Sequence, residues 1–193
     1  MNWQLISFFG DSTVLLPSAA ALFIVLMLRK TSRLLAWQWS LLFGITGAIV
    51  CASKLAFMGW GLGIRELDYT GFSGHSALSA AFWPIFLWLL SARFSVGLRK
   101  AAIITGYVLA AVVGYSRLVI HAHSVSEVIA DLLLGAAGSA LFLVLQKRTS
   151  DPENVNISWG GVACLVMVPL ILFSSTHLRL QTSYPASMSV GAG

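Results

Sequence analysis

The sequence predicts an all-α protein, a polytopic membrane helical bundle of about six transmembrane helices forming one domain over residues 1–193. Two observations carry this. Of the chain, 58% is hydrophobic and only 10% charged, against about 25% charged residues in soluble globular proteins. The apolar residues also come in blocks long enough to span a bilayer, separated by short polar stretches. A net charge of +5 does not point to nucleic acid. The basic residues fall in small clusters between apolar blocks, as the positive-inside rule expects, and no basic groove or stacking motif accompanies them. Cys51 and Cys164 lie inside apolar runs, fit no zinc or redox spacing, and read as small buried hydrophobes.

Met1 to Ser12 carries Trp3, Phe8 and Phe9 and suits the interface. No basic residue precedes the first apolar run, so a cleaved signal peptide is not expected. The first span is Thr13 to Leu28, with Pro17 in its opening turn. After Arg29, Lys30 and Arg33 comes a second span, about Leu34 to Ser53. An outlying loop, Lys54 to Phe72, holds Arg65, Glu66, Asp68 and several glycines. The third span is about Ser73 to Ala92, and Arg93, Arg99 and Lys100 follow it. The fourth runs from about Ala101 to Tyr115, followed by a loop with Arg117, His121 and His123. The fifth is about Val125 to Leu145, in which Gly135 and Gly138 let helices approach closely. Past Lys147 and Arg148, a polar hinge (Asp151 to Asn156) leads to the sixth span, about Ile157 to Ser175. The tail 176–193 is polar and reads as loosely ordered.

Orientation follows from the loops. The connections after spans one, three and five hold Arg29, Lys30 and Arg33, then Arg93, Arg99 and Lys100, then Lys147 and Arg148. Those after spans two and four hold only Lys54, Arg65 and Arg117. The first set reads as cytoplasmic. The polar stretches around His75 and His123 then face the other side, with both chain ends.

Ionisable residues at membrane depth are costly and are functional candidates by default. Ser73-Gly74-His75 opens an apolar helix, where free N–H groups and the helix dipole favour an anion. Gly74 lets a ligand near the backbone, and His75 exchanges protons near neutral pH. Taken alone, Ser73 is equally an ordinary N-cap and His75 an interfacial polar residue. The second stretch adds weight. Arg117 offers a planar fork for phosphate oxygens. His123 and Glu127 are four apart and share a helix face. A carboxylate there can fix the imidazole's tautomer and leave its other nitrogen to attack. Asp131 lies one turn further along that face, interrupting a run of Val, Ile, Ala and Leu. Two histidines with carboxylates are also a zinc donor set, but His121 and His123 are two apart, which suits a strand face better than a helix start, and no metal is expected.

Ser-Gly-His at 73–75, followed by Ser116-Arg117, five residues, His123, three residues and the acid Glu127, resembles the type 2 phosphatidic acid phosphatase (PAP2) superfamily, which includes membrane lipid phosphatases and soluble vanadium haloperoxidases. The resemblance covers roughly residues 54–135, the catalytic core. It implies His123 as the nucleophile that takes the phosphoryl group and His75 as the general acid for the leaving oxygen. It implies Arg117, Ser73 and the Gly74 backbone as phosphate ligands, Lys54 and Arg65 as further cations, and Glu127 as the residue that orients His123. Glu127 stands where the family has Asp, with Asp131 as an auxiliary, and Phe72 where it often has Pro. Lys54 and Arg65 have ten residues between them, where the family has Lys, six residues, then Arg-Pro. His121 has no counterpart and reads as a loop hydrogen-bonder before a headgroup contact.

The implied activity is hydrolysis of a phosphomonoester or diphosphate on an amphiphilic membrane lipid (polyprenyl diphosphate, phosphatidate-type or lipid A phosphate) through a phospho-histidine, without cofactor or metal. The setting would be a bacterial inner membrane with the site on the extracytoplasmic side. The alternatives are a lipid phosphotransferase using the same intermediate, a non-catalytic lipid-phosphate binding or transport protein, and a structural membrane subunit.

Overall fold

The computed structural model describes residues 3–61, 73–149 and 159–183. Among these, the chain is all helix: α1 Trp3–Phe8, α2 Ser12–Met27, α3 Arg33–Trp60, α4 Gly74–Leu90, α5 Val96–Val119, α6 Val125–Thr149 and α7 Trp159–Ser183, with a 3₁₀ turn at Lys30–Ser32 between α2 and α3. Four stretches are long and apolar enough to cross a membrane: Trp3–Met27, Lys30–Trp60, Val96–Val119 and Val125–Lys147. Shorter apolar helices at Gly74–Leu90 and Gly160–Leu172 bring the apolar helical stretches among the described residues to six, the number expected.

Local chemistry sets the helix ends. Asp11 accepts from Thr13 N at 2.8 Å and starts α2. Ser95 accepts from Leu98 N and starts α5. Gly61, at φ 65°, ends α3 in the left-handed conformation that glycine adopts without strain, its N–H donating to Phe57 O at 2.8 Å.

The helices outrun several expected boundaries. α3 continues through Lys54 to Trp60, so Lys54 sits on a helix and not in a loop. α5 takes in Arg99, Lys100 and Arg117. α7 reaches Ser183, so the first residues of the expected tail are helical. Hydropathy marks only the part of a helix that matches the hydrocarbon, while the backbone ladder continues into the headgroup layer, where long cationic side chains reach water. Pro17 is likewise well inside α2 and not in its opening turn. The hinge 151–156 lies outside the described residues.

α4 is the hub. It packs against α2, α3, α5 and α6, and most of its side chains are buried. At 17 residues it is shorter than the ~20 a lipid-facing span needs, but protein surrounds it. Phe82, Trp83 and Phe86 make a continuous aromatic contact with Trp39 and Phe43 of α3. The outer faces of the bundle are also apolar: Ile24, Leu41, Ile104, Leu133 and Leu170 are all exposed. Cys51 and Cys164 are exposed too, correcting the expectation of burial. In a membrane bundle an apolar residue has two apolar places to go, the protein core and the lipid.

α4 and α6 both start at the same end, so they run parallel, and small residues bring them together. A side chain at Gly135 would collide with the backbone oxygen of Ala77 and reach within 2.8 Å of the Ala80 methyl. One turn on, Ser139 Oγ donates to Ala80 O at 2.9 Å. Pro84 lacks the N–H that would serve Ala80 O, four residues earlier. Ser139 therefore satisfies a carbonyl that α4 itself cannot, with Tyr107 of α5 at 3.0 Å from the same hydroxyl. The bulk of Pro84 is taken up on the other side by Gly106 of α5, where an added Cβ would lie 2.5 Å from Pro84 Cα. Gly138 meets α3 in the same way, 2.9 Å from Thr46 Oγ1. Gly135→Ala is expected to destabilise the bundle by about 2–3 kcal/mol, because the obstacle is backbone and cannot rotate away. Reversible unfolding in detergent micelles measures this.

Candidate functional site

The start of α2, the start of α4, the end of α5 and the start of α6 meet at one end of the bundle. The Arg29–Arg33 and Arg93–Lys100 clusters sit at the other end of those helices. His75, Arg117, Asp11 and His123 are close enough at this end to interact electrostatically. His75 and His123, far apart in sequence, thus share one end of the bundle beside Arg117.

His123 is set by the turn between α5 and α6. His121, at φ 54°, reverses the chain in the left-handed region. Its side chain is exposed. Ser124 then caps α6: its Oγ accepts from Glu127 N at 3.3 Å, while Glu127 Oε2 accepts from Ser124 N at 3.2 Å. This reciprocal pair is a capping box, which calls for Glu or Gln at the third helical position. The same Oε2 is 2.8 Å from His123 Nδ1. An ionised carboxylate only accepts, so with Glu127 ionised and the imidazole neutral this contact selects the tautomer with the proton on Nδ1 and the lone pair on Nε2. Glu127 is buried at 2% exposure. The longer acid thus combines the helix cap and the imidazole's orientation in one group.

Asp131 is fully buried, and both its oxygens lie 2.8 Å from Ser73 N. Sequence spacing put it on the face of His123 and Glu127 as an auxiliary acid. In the structure its carboxylate is turned to the start of α4 instead. Ser73 occupies the N-cap position, but its hydroxyl caps nothing, and its Oγ is buried without a partner among the described residues. Lys54 is near enough to Asp131 to interact with it electrostatically. Arg65 and Phe72 lie outside the described residues. A methyl group at Gly74 would meet only Val50, at 3.8 Å, so packing among the described residues does not demand glycine there.

Arg117 Nη1 donates to Ser7 Oγ at 2.8 Å, and its Nε is buried without a partner among the described residues. Ser7 and Asp11 contact Arg117 and His75 at the candidate site, and the sequence reading does not single them out. Asp11 Oδ1 accepts from Thr13 N and Thr13 Oγ1, both at 2.8 Å, while Oδ2 lies 3.5 Å from His75 Nε2. Asp-Ser-Thr ahead of an apolar run is a helix-start signal, and a carboxylate at that edge of a membrane span was the clue available. No three His, Cys, Asp or Glu side chains among the described residues are grouped to hold a metal.

Asp131→Ala leaves Ser73 N buried and unpaired, and it is expected to destabilise the protein by about 1–3 kcal/mol, with Asp131→Asn milder because one acceptor oxygen remains. Thermal unfolding of the two variants in one detergent compares them.

The family model of the PAP2 superfamily matches residues 64–151, a segment that includes His75, Arg117, His123, Glu127 and Asp131. A protein of Klebsiella pneumoniae described as an uncharacterized 22.5 kDa protein in cps region is 95% identical over 175 residues, 91% of this chain and 84% of that protein. No solved structure matches the chain. With paired Ser-Gly-His and Ser-Arg…His motifs at one end of an apolar helical bundle, the chain belongs to the PAP2 superfamily.

Proposed function

We propose that the protein is a metal-independent lipid-phosphate phosphatase working through a phospho-histidine at His123. The observation that carries this is the 2.8 Å contact between His123 Nδ1 and buried Glu127, which leaves Nε2 as a nucleophile. The unpartnered Arg117 Nε and Ser73 Oγ at the same end support a role in gripping phosphate oxygens, and the undemanding surroundings of Gly74 support an approach of phosphate to the backbone there. Lys54 and Arg65 add positive charge in this reading.

In the first step, the His123 Nε2 lone pair forms a bond to phosphorus. The bond from phosphorus to the leaving oxygen breaks, its electron pair stays on that oxygen, and His75 gives it a proton. In the second step, His75, now neutral, takes a proton from water. The resulting hydroxide oxygen displaces His123 from phosphorus and releases inorganic phosphate. Phosphoryl transfer depends on positioning and charge stabilisation, which Arg117, the start of α4 and the nearby cations supply.

The substrate is an amphiphile. The site lies at the end of an apolar bundle, at headgroup depth, with lipid-facing helices around it. The basic clusters at the opposite end support an extracytoplasmic site in a bacterial inner membrane.

The test is phosphate release by purified protein in detergent from polyprenyl diphosphate, phosphatidate and lipid A phosphate, with and without chelator. Release from one lipid class, unaffected by chelator, is the expected result. His123→Ala should reduce it to background, and Glu127→Gln should lower kcat by about 100-fold or more with KM little changed. Undiminished release by folded His123→Ala would rule out the assigned nucleophile, and tight lipid binding without any release would favour a binding or transport role.

A further inference from the structure

We propose that Asp11, from the segment before the first long helix, is a positioning residue for His75: its carboxylate holds the imidazole ring in place and stabilises it in the protonated form that donates to the leaving oxygen. The inference rests on the reading of His75 as that donor. It comes from how Asp11 is held. Its Oδ1 is fixed by two donors, Thr13 N and Thr13 Oγ1, each at 2.8 Å. That anchorage points Oδ2 at His75 Nε2, 3.5 Å away. A carboxylate pinned by one oxygen and presented by the other needs no reordering to act.

The segment carrying Asp11 is itself fastened to the site. Ser7 accepts from Arg117, Phe9 O accepts from Trp83 Nε1 at 3.1 Å, and Trp3 packs edge-on against Tyr115 at 5.4 Å. Any side chain at Gly10 would collide with Val113 and press on Ser79 Oγ and His75 O. The N-terminal segment therefore lies against the backbone of His75 as well as its ring. The electron balance is that of an ordinary acid step: the imidazolium proton moves to the leaving oxygen as the phosphorus–oxygen bond breaks, and Asp11 keeps its charge throughout.

A residue acting through the proton donor should matter only when the leaving group needs a proton. Two substrates separate this from a structural or phosphate-binding role. An alkyl lipid phosphate leaves as a basic alkoxide, whereas p-nitrophenyl phosphate leaves as a stabilised phenolate. Asparagine caps helices about as well as aspartate, so Asp11→Asn removes the charge and keeps the start of α2. Asp11→Ser does the same with a shorter cap.

Full-length Asp11→Asn in detergent is expected to lose about tenfold or more in kcat on the alkyl phosphate and less than about threefold on p-nitrophenyl phosphate. Both substrates bring the same phosphoryl group, so a change in phosphate affinity moves both KM values together and not the kcat ratio. His75→Asn provides the reference and should show the same selectivity at larger amplitude. Selective loss in His75→Asn with equal or absent losses in both Asp11 variants overturns the role of Asp11. Non-selective loss in His75→Asn overturns the underlying assignment of His75 itself.

Discussion

The buried carboxylate of Asp131, with both oxygens on the backbone N–H of Ser73, is the contact through which the two motif-bearing helices share a common frame. A carboxyl group at such depth is held only if hydrogen-bond partners meet it, and here the partner is a main-chain atom of the Ser-Gly-His motif. The bond pins the start of α4 to α6. His75 is two residues beyond Ser73, and Glu127 is one turn before Asp131, so the relation between the two histidines follows from it. The same stripe of α6 continues inward with Gly135 on the Ala77 backbone and Ser139 on Ala80 O. Residues 127, 131, 135 and 139 recur every four positions, so one ridge of α6 orients a histidine, anchors a helix start, admits a close approach and repairs a proline gap.

A conflict inside that ridge explains the unusual acid at 127. Aspartate at the third helical position reaches its own cap less readily than glutamate, whose extra methylene lets one oxygen serve the Ser124 N–H and the His123 ring together. The imidazole is held by the same group that terminates the helix, and any fraying of the first turn of α6 would release both at once. Coupling an imidazole to a helix cap restrains the ring without spending further side chains on it.

Much of this was legible in the sequence. Block hydropathy marks the six apolar stretches, and their alternation puts the histidines, Arg117 and Glu127 at one end of the bundle. What sequence could not read was direction. Asp131 shares a helical stripe with Glu127, and periodicity alone cannot say that it turns to a backbone N–H 58 residues away in sequence. Cys51 and Cys164 fell on the wrong side because hydrophobicity in a membrane protein does not separate core from lipid face. Lys54 reads as a loop residue in sequence because a charge ends a hydropathy block without ending a helix. Asp11 and Ser7 escape a sequence reading because their partners, His75 and Arg117, are distant in sequence, while Asp11 locally signals only an ordinary helix start and Ser7 sits inside the short helix α1.

The gap that Pro84 opens in α4 bears on how the chain is built. Residues are synthesised in order, so α4 enters the bilayer before α6 exists. Until Ser139 arrives, Ala80 O has no helix N–H from Pro84 and, in hydrocarbon, no water. A short helix with an unserved carbonyl is a poor permanent resident of lipid by itself. Its settlement in the membrane awaits a later segment of the same polypeptide, which makes insertion of this bundle a joint event of α4 and α6 and not a procession of independent crossings.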